Sequence, residues 1–218
     1  MDRPGIPLEV LSRDLDNLRT INRHFGGLHA ATLAVRLALK RRPTTSLLDC
    51  ACGGGDLTAL QHRALRPERS LALDLHPTTL ELARLHVEDD DIEFHLGDMR
   101  ALPFPDSSID VVTCHLALHH FPDDEAVQVL RELGRVARRL VVVTDLTRDR
   151  LGYLAVWLLV HLWLRDPITR HDALLSIRRA WNHDEFRALA LKAGWKSPVH
   201  HPFPWFRQAL WWHKHSPQ

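Results

Sequence analysis

Tyrosine appears once in these 218 residues, methionine twice and cysteine three times. Cys50, Cys52 and Cys114 are too few, and odd in number, for a disulfide framework. No fourth ligand stands at a zinc-site spacing, so no metal is expected. No secretory signal precedes them, and a reducing cytoplasm is the expected location. An excess of either charge is missing too: 28 basic against 27 acidic residues leave a net +1. Without a global positive field, no nucleic acid is expected as partner. Lys40-Arg41-Arg42 is the longest basic run and reads as a solvated loop. No apolar run reaches the ~20 residues of a membrane span. Leu151 to Leu164 comes nearest, but it is shorter and holds Gly152 and His161. With 45% hydrophobic residues, the chain suits one globular domain, monomeric or homodimeric.

What is present centres on Leu47-Leu48-Asp49-Cys50-Ala51-Cys52-Gly53-Gly54-Gly55-Asp56. An apolar strand leads into glycines and then into Leu57-Thr58-Ala59-Leu60, a helix start. Glycines at such a turn let a ligand approach the backbone, and the helix N-terminus offers free N–H groups. Some twenty residues on, Leu71-Ala72-Leu73 ends a second strand at Asp74, with Leu75 next. A carboxylate there can take ribose hydroxyls. A third strand, Ile92 to Leu96, ends at Gly97-Asp98-Met99. A dinucleotide fingerprint needs Gly-x-Gly-x-x-Gly, but Thr58 stands where the last glycine belongs. Asp56 would also repel a pyrophosphate.

On these motifs the sequence resembles the class I S-adenosylmethionine-dependent methyltransferases, the broad group holding the ubiquinone/menaquinone C-methyltransferases and many small-molecule O-methyltransferases. The family's acid and alternating glycines fall on Asp49, Ala51, Gly53 and Gly55, with alanine replacing the first glycine. The resemblance puts the ribose acid at Asp74 and the adenine acid at Asp98. It implies cofactor contacts from Asp49, Ala51, Cys52, Gly53, Gly55, Asp74, Leu75, Gly97, Asp98, Met99, His115 and Leu116. The cofactor implied is S-adenosyl-L-methionine, leaving S-adenosyl-L-homocysteine, with no metal. The fourth-strand block Ser108 to Phe121 matches as well, and the likeness spans roughly residues 45 to 146.

Strand and helix alternate through residues 44–146, with strands near 46–51, 70–75, 92–97, 109–115 and 140–145. Helices are expected near 55–66, 77–88 and 122–138. This predicts an α/β chain with a parallel sheet covered on both faces. The resemblance extends it to a three-layer, doubly wound, Rossmann-like fold: seven strands, mostly parallel, the last antiparallel. Residues 1–42 read as two helices meeting at Gly26-Gly27, a cap over the cleft or plain packing. Residues 147–181 read as a helical insertion. Its apolar part fits a lid on an acceptor pocket, a core helix or a helix at a membrane surface. Residues 182–218 open with a capping box, Asn182 to Glu185, and end in two strands, Trp195 to His201 and Phe206 to Trp212.

The acceptor side is less determined. All seven tryptophans lie in the insertion and beyond, which favours a flat or greasy small molecule or reflects core packing. Arg23, Trp157, His161, Arg170 and Trp181 are the acceptor-pocket candidates. A polyketide-type phenol or a quinone precursor fits, methylated on oxygen or carbon. His115 to Leu118 replaces the Asn-Pro-Pro-Tyr type motif of amide and nucleobase N-methyltransferases. A carbon nucleophile needs a base, and His119 and His120 come after the fourth strand, where acceptor meets methyl. The same histidines also fit simple packing against Phe121. Two other readings stay open: sulfonium-assisted chemistry without methyl transfer, and a cofactor-binding module without catalysis.

Overall fold

A computed structural model describes residues 8–24, 26–40, 42–87, 91–149, 152–154, 157 and 174–214. Two helices come first, α1 (Leu8–His24) and α2 (Gly27–Leu39). Gly26 breaks them apart at φ 74°, a left-handed turn that glycine adopts without penalty. Next come β1 (Ser46–Cys50), α3 (Asp56–Leu65), β2 (Arg69–Asp74), α4 (Pro77–His86) and β3 (Ile92–Leu96). The second half holds β4 (Ile109–His115), a 3-10 turn at Leu118–His120, α5 (Asp123–Val136) and β5 (Ala137–Leu146). α6 (His183–Lys192), β6 (Val199–Phe203) and β7 (Arg207–His213) close the chain.

The seven strands form one sheet in the order β3-β2-β1-β4-β5-β7-β6. β1 to β5 pair in parallel, and β7 runs antiparallel to both β5 and β6. The sequence pattern starts β6 a few residues early, at Trp195, and β7 one residue early. Trp195 instead donates its indole N–H to Leu130 O at 3.1 Å.

Alternation along each strand explains the three layers. Leu47, Val111, Leu140, Val142 and Ala209 pack under Ala34, Val35 and Ala38 of α2. Their neighbours Leu48, Val112, Val141, Val143 and Leu210 face the opposite way, toward Leu130 and Leu133 of α5 and Phe186 of α6. A period of two gives both faces an apolar row. Small residues let α2 lie close on the sheet. α2 is a sheet-covering helix, whereas α1 reaches α3 through an Arg19–Asp56 ion pair at 2.7 Å.

Local signals set the helix ends. Pro77 takes an early position in α4, where its missing N–H costs nothing. Asp123, Asp124 and Glu125 fill the first turn of α5, favoured by the helix dipole. At α6 the capping box forms: Asn182 Oδ1 accepts from Glu185 N at 3.0 Å, and Glu185 Oε2 accepts from Asn182 N at 2.9 Å.

The tryptophans divide differently from the acceptor expectation. Trp181 is buried, stacks on Phe186 at 6.2 Å and donates to Asp123 Oδ1 at 2.9 Å. Trp195 and Trp212 stack at 5.7 Å. These rings fill the layer between sheet and helices. Trp157 and Trp205 are exposed. No helix of the described residues is long and apolar enough to cross a membrane.

Candidate functional site at the carboxyl ends of the strands

The strand order reverses between β1 and β4: β2 and β3 lie on one side, β5 on the other. In an open α/β sheet, the carboxyl ends at such a reversal leave a crevice, because successive connections depart in opposite directions. The glycine run leaves β1 at this point. Ala51, Gly53 and Gly55 all have positive φ, at 59°, 54° and 78°. The two glycines serve different needs. A Cβ on Gly55 would stand 2.8 Å from Val87 Cγ2, so Gly55 is required for packing. A Cβ on Gly53 would meet nothing within 4 Å. Gly53 therefore presents bare backbone to open space, a cradle that a side chain would occupy.

The turn also separates two cysteines that, two apart on one strand, would point the same way. β1 ends at Cys50, and left-handed Ala51 rotates the chain before Cys52. Cys50 joins the core under α5, while Cys52 packs with Ala59, Ala72 and Leu80.

Carboxylates gather at this edge. Asp74, ending β2, accepts from Gly53 N through Oδ2 and from His76 N through Oδ1, both at 3.0 Å. An ionised carboxylate has about four acceptor sites, so these bonds fix Asp74 and leave room for a diol. Leu75 and Leu96 are exposed beside it. Asp49 lies buried beneath the turn, taking hydroxyl bonds from Thr58 at 2.6 Å and Thr113 at 3.3 Å. Burial pushes its pKa up to about 6 despite those donors. Asp98 sits differently from expectation. Arg100 grips both its oxygens at 2.7–3.1 Å and also donates to Glu125 at 2.7 Å. This holds the Asp98 carboxyl below the usual range, and an adenine amino group would have to share it with Arg100. At Gly97 a Cβ would stand 2.8 Å from Leu73 Cδ1, while Met99 is buried in the core.

His115 is buried, with Nδ1 2.7 Å from Thr144 Oγ1 and Nε2 2.9 Å from Gln61 Nε2. Burial lowers its pKa to about 3, so it stays neutral. With both ring nitrogens committed, His115 has none left for a cofactor. Leu116 comes next at φ 53°, a left-handed position that turns the chain out of the sheet. His119 is buried in the 3-10 turn. Its Nδ1 lies 2.6 Å from Asp145 Oδ1, and its backbone N–H donates to Asp145 Oδ2 at 2.9 Å. Asp145, fully buried near the end of β5, thus fixes both the ring and the backbone of His119. The His120 ring is exposed and lies 4.4 Å away.

Asp145 is the residue that sequence reasoning missed, although its signal was there: an acid closing the β-branched run Val141 to Thr144. Arg207 was missed as well. It is buried at the start of β7, where its Cα partner is Leu146, one residue past Asp145. Burial lowers its pKa to about 10, and Asp145 opposes that shift. Its Nη2 stands 3.5 Å from Asn22 Oδ1, linking α1 to this edge. Of the acceptor candidates, Arg23 is exposed in the last turn of α1 and Trp157 is exposed. Trp181 is spent on the core, and His161 and Arg170 lie outside the described residues. Among the described residues, no three His, Cys, Asp or Glu side chains cluster as a metal site.

Residues 47–139 match the methyltransferase domain family. Over 110 residues the chain is 38% identical to the ubiquinone/menaquinone biosynthesis C-methyltransferase UbiE of Hahella chejuensis, covering 47% of this chain and 43% of that protein. It is 34% identical over 139 residues to a phthiotriol/phenolphthiotriol dimycocerosates methyltransferase of Mycobacterium leprae, covering 62% and 48%. The chain thus spans less than half the length of these curated relatives. In fold it is similar to a SAM-dependent methyltransferase from Aquifex aeolicus, with TM-score 0.69, 14% identity and coverage of 93% and 97%. It is also similar to the magnesium protoporphyrin IX methyltransferase of Synechocystis, solved with bound SAH, with TM-score 0.61, 17% identity and coverage of 88% and 84%.

Proposed function

We propose that this chain, whose residues 47–139 match the methyltransferase domain family, transfers a methyl group from S-adenosylmethionine to a small aromatic or lipophilic acceptor, on oxygen or carbon. The observation that carries the cofactor half is the clasp of Asp74 on Gly53, at the strand-order reversal and beside an open cradle. Asp74 takes the ribose diol on its remaining lone pairs. Bare Gly53 lets the amino-acid part lie against the backbone. Asp49 and Asp74 bring negative charge to an edge that must hold a cation. When bound, the sulfonium supplies an electrophilic methyl group.

The chain itself positions the acceptor and handles its proton. His119 gives Nδ1–H to Asp145 and keeps Nε2 as the acceptor nitrogen. At Nε2 it receives the proton of a phenolic or enolic hydroxyl, and Asp145 stabilises the imidazolium formed. Arg207, buried beside Asp145, balances that carboxylate. The lipid and quinone chemistry in the relatives' names supports a greasy acceptor. A cytoplasmic enzyme needing no nucleic-acid partner fits the even charge.

Calorimetry with S-adenosylmethionine and S-adenosylhomocysteine tests the reading. Micromolar binding by the wild type is expected, lost in Asp74→Ala, with methyl transfer then sought on phenols and quinone precursors. A wild type that binds neither compound would sink the proposal.

A further inference from the structure

Three side chains meet where α6, β6 and β7 come together. His183 Nδ1, on the first residue of α6, lies 2.9 Å from His200 Nε2 on β6. Gln208 Oε1, on β7, lies 3.0 Å from the first and 3.1 Å from the second. The three atoms thus form a nearly equilateral triangle.

Hydrogen bonds cannot satisfy this triangle. The Gln208 amide is oriented, because its Nε2 donates to Trp181 O at 2.8 Å and to Leu146 O at 3.0 Å. Reversing it would set an oxygen against two carbonyls, so the atom facing the histidines is an acceptor only. Each imidazole nitrogen carries at most one proton. If His183 Nδ1 holds it, the His200 nitrogen faces the amide oxygen with no proton between them. If His200 holds it, the mismatch moves to the His183 edge. If both do, the two nitrogens oppose each other as donors. With the rings oriented as they are, every protonation state leaves one short contact between like partners.

A cation removes the mismatch, because all three atoms then offer lone pairs to one centre. Cis ligands bound at ~2.1 Å at right angles stand ~3.0 Å apart, the spacing observed. We propose that His183, His200 and Gln208 form one face of a site for a divalent late first-row metal such as Zn²⁺, Ni²⁺ or Co²⁺. Two imidazoles and a neutral amide, with no carboxylate or thiolate, suit these ions over Mg²⁺, Ca²⁺ or Cu⁺. His183 is exposed, so water completes the coordination. Gln208 is fully buried and forms the inner wall. Spacing along the chain carries no hint of this site. Spacing rules look for histidines four apart on a helix, and here the ligands come from three elements, one of them an amide.

Gln208 is the cross-strand partner of Asp145, so the site stands one strand over from the His119–Asp145 pair and serves as a brace between α6 and the sheet edge. The test uses untagged, metal-free protein titrated with NiCl₂ and ZnCl₂ by calorimetry, with Co²⁺ absorption reporting the coordination. One equivalent bound at micromolar affinity is expected, with the melting temperature raised. The double variant His183→Asn/His200→Asn, shown folded by circular dichroism and by retained S-adenosylhomocysteine binding, should bind about 100-fold more weakly. A wild type without a micromolar site, or a folded double variant that binds as tightly, overturns the proposal.

Discussion

Replacing Asp49 with asparagine should stabilise the cofactor-free protein at pH 7.5 and leave it slightly less stable near pH 4. Asp49 is 2% exposed, and its pKa is raised from 3.8 to about 6, foremost by burial. A carboxyl whose folded-state pKa exceeds its unfolded value opposes folding once it must ionise. The penalty is absent below pH 3.8, grows as the pH climbs to about 6, and is complete above that. A shift of about 2 units corresponds to ~3 kcal/mol. Asparagine keeps the shape and drops the charge, but offers one oxygen where the hydroxyls of Thr58 and Thr113 now find two. One threonine must turn and accept, at a cost of about 1 kcal/mol. The net gain is ~2 kcal/mol at pH 7.5, or ~4–8 °C in melting temperature for a chain of this length. Urea titrations of both proteins across pH 4 to 8 would read the difference directly. A difference that stays constant with pH would refute burial as its source. The same variant should bind S-adenosylmethionine more weakly, since the charge kept at a cost to folding faces a cation when the site is filled.

Two further substitutions test neighbouring claims. Ala51→Gly should raise thermal stability by about 0.5–1 kcal/mol, because a left-handed alanine costs ~1–2 kcal/mol and the entropy of glycine returns part of that; a lower melting temperature would mean the methyl group packs better than its φ of 59° implies. Asp145→Asn should lower kcat about 100-fold and alter its pH profile while leaving S-adenosylhomocysteine affinity intact; an unchanged pH profile in a folded variant would remove His119 from the chemistry.

Much of the frame was legible because the sheet core is written in a period of two. Leu47 and Leu48 face opposite layers, as the strand pattern demands. Glycines and acids at strand ends were visible for the same reason, since local sequence fixes what leaves a strand. The features that escaped depend on contacts between distant segments. Nothing near His115 announces that Gln61 and Thr144 will occupy both its nitrogens. The bias of tryptophan toward the second half pointed to a ligand, yet Trp195 lies over Trp212 and Trp181 over Phe186. The pairing of His119 with Asp145 joins residues 26 positions apart, brought together by β4 and β5 lying side by side.

The two carbonyls held by Gln208 carry one more consequence. Leu146 ends β5, and Trp181 leads into α6; one side-chain amide ties both. The chain between them therefore leaves and re-enters the sheet layer at a single gate. A loop anchored this way can change in length or content at small entropic cost, since closure depends only slowly on the number of residues enclosed. Thr147, Ile177 and Ala180 are buried on either side of this tie and belong to the frame that any exchange of the chain between them would have to keep.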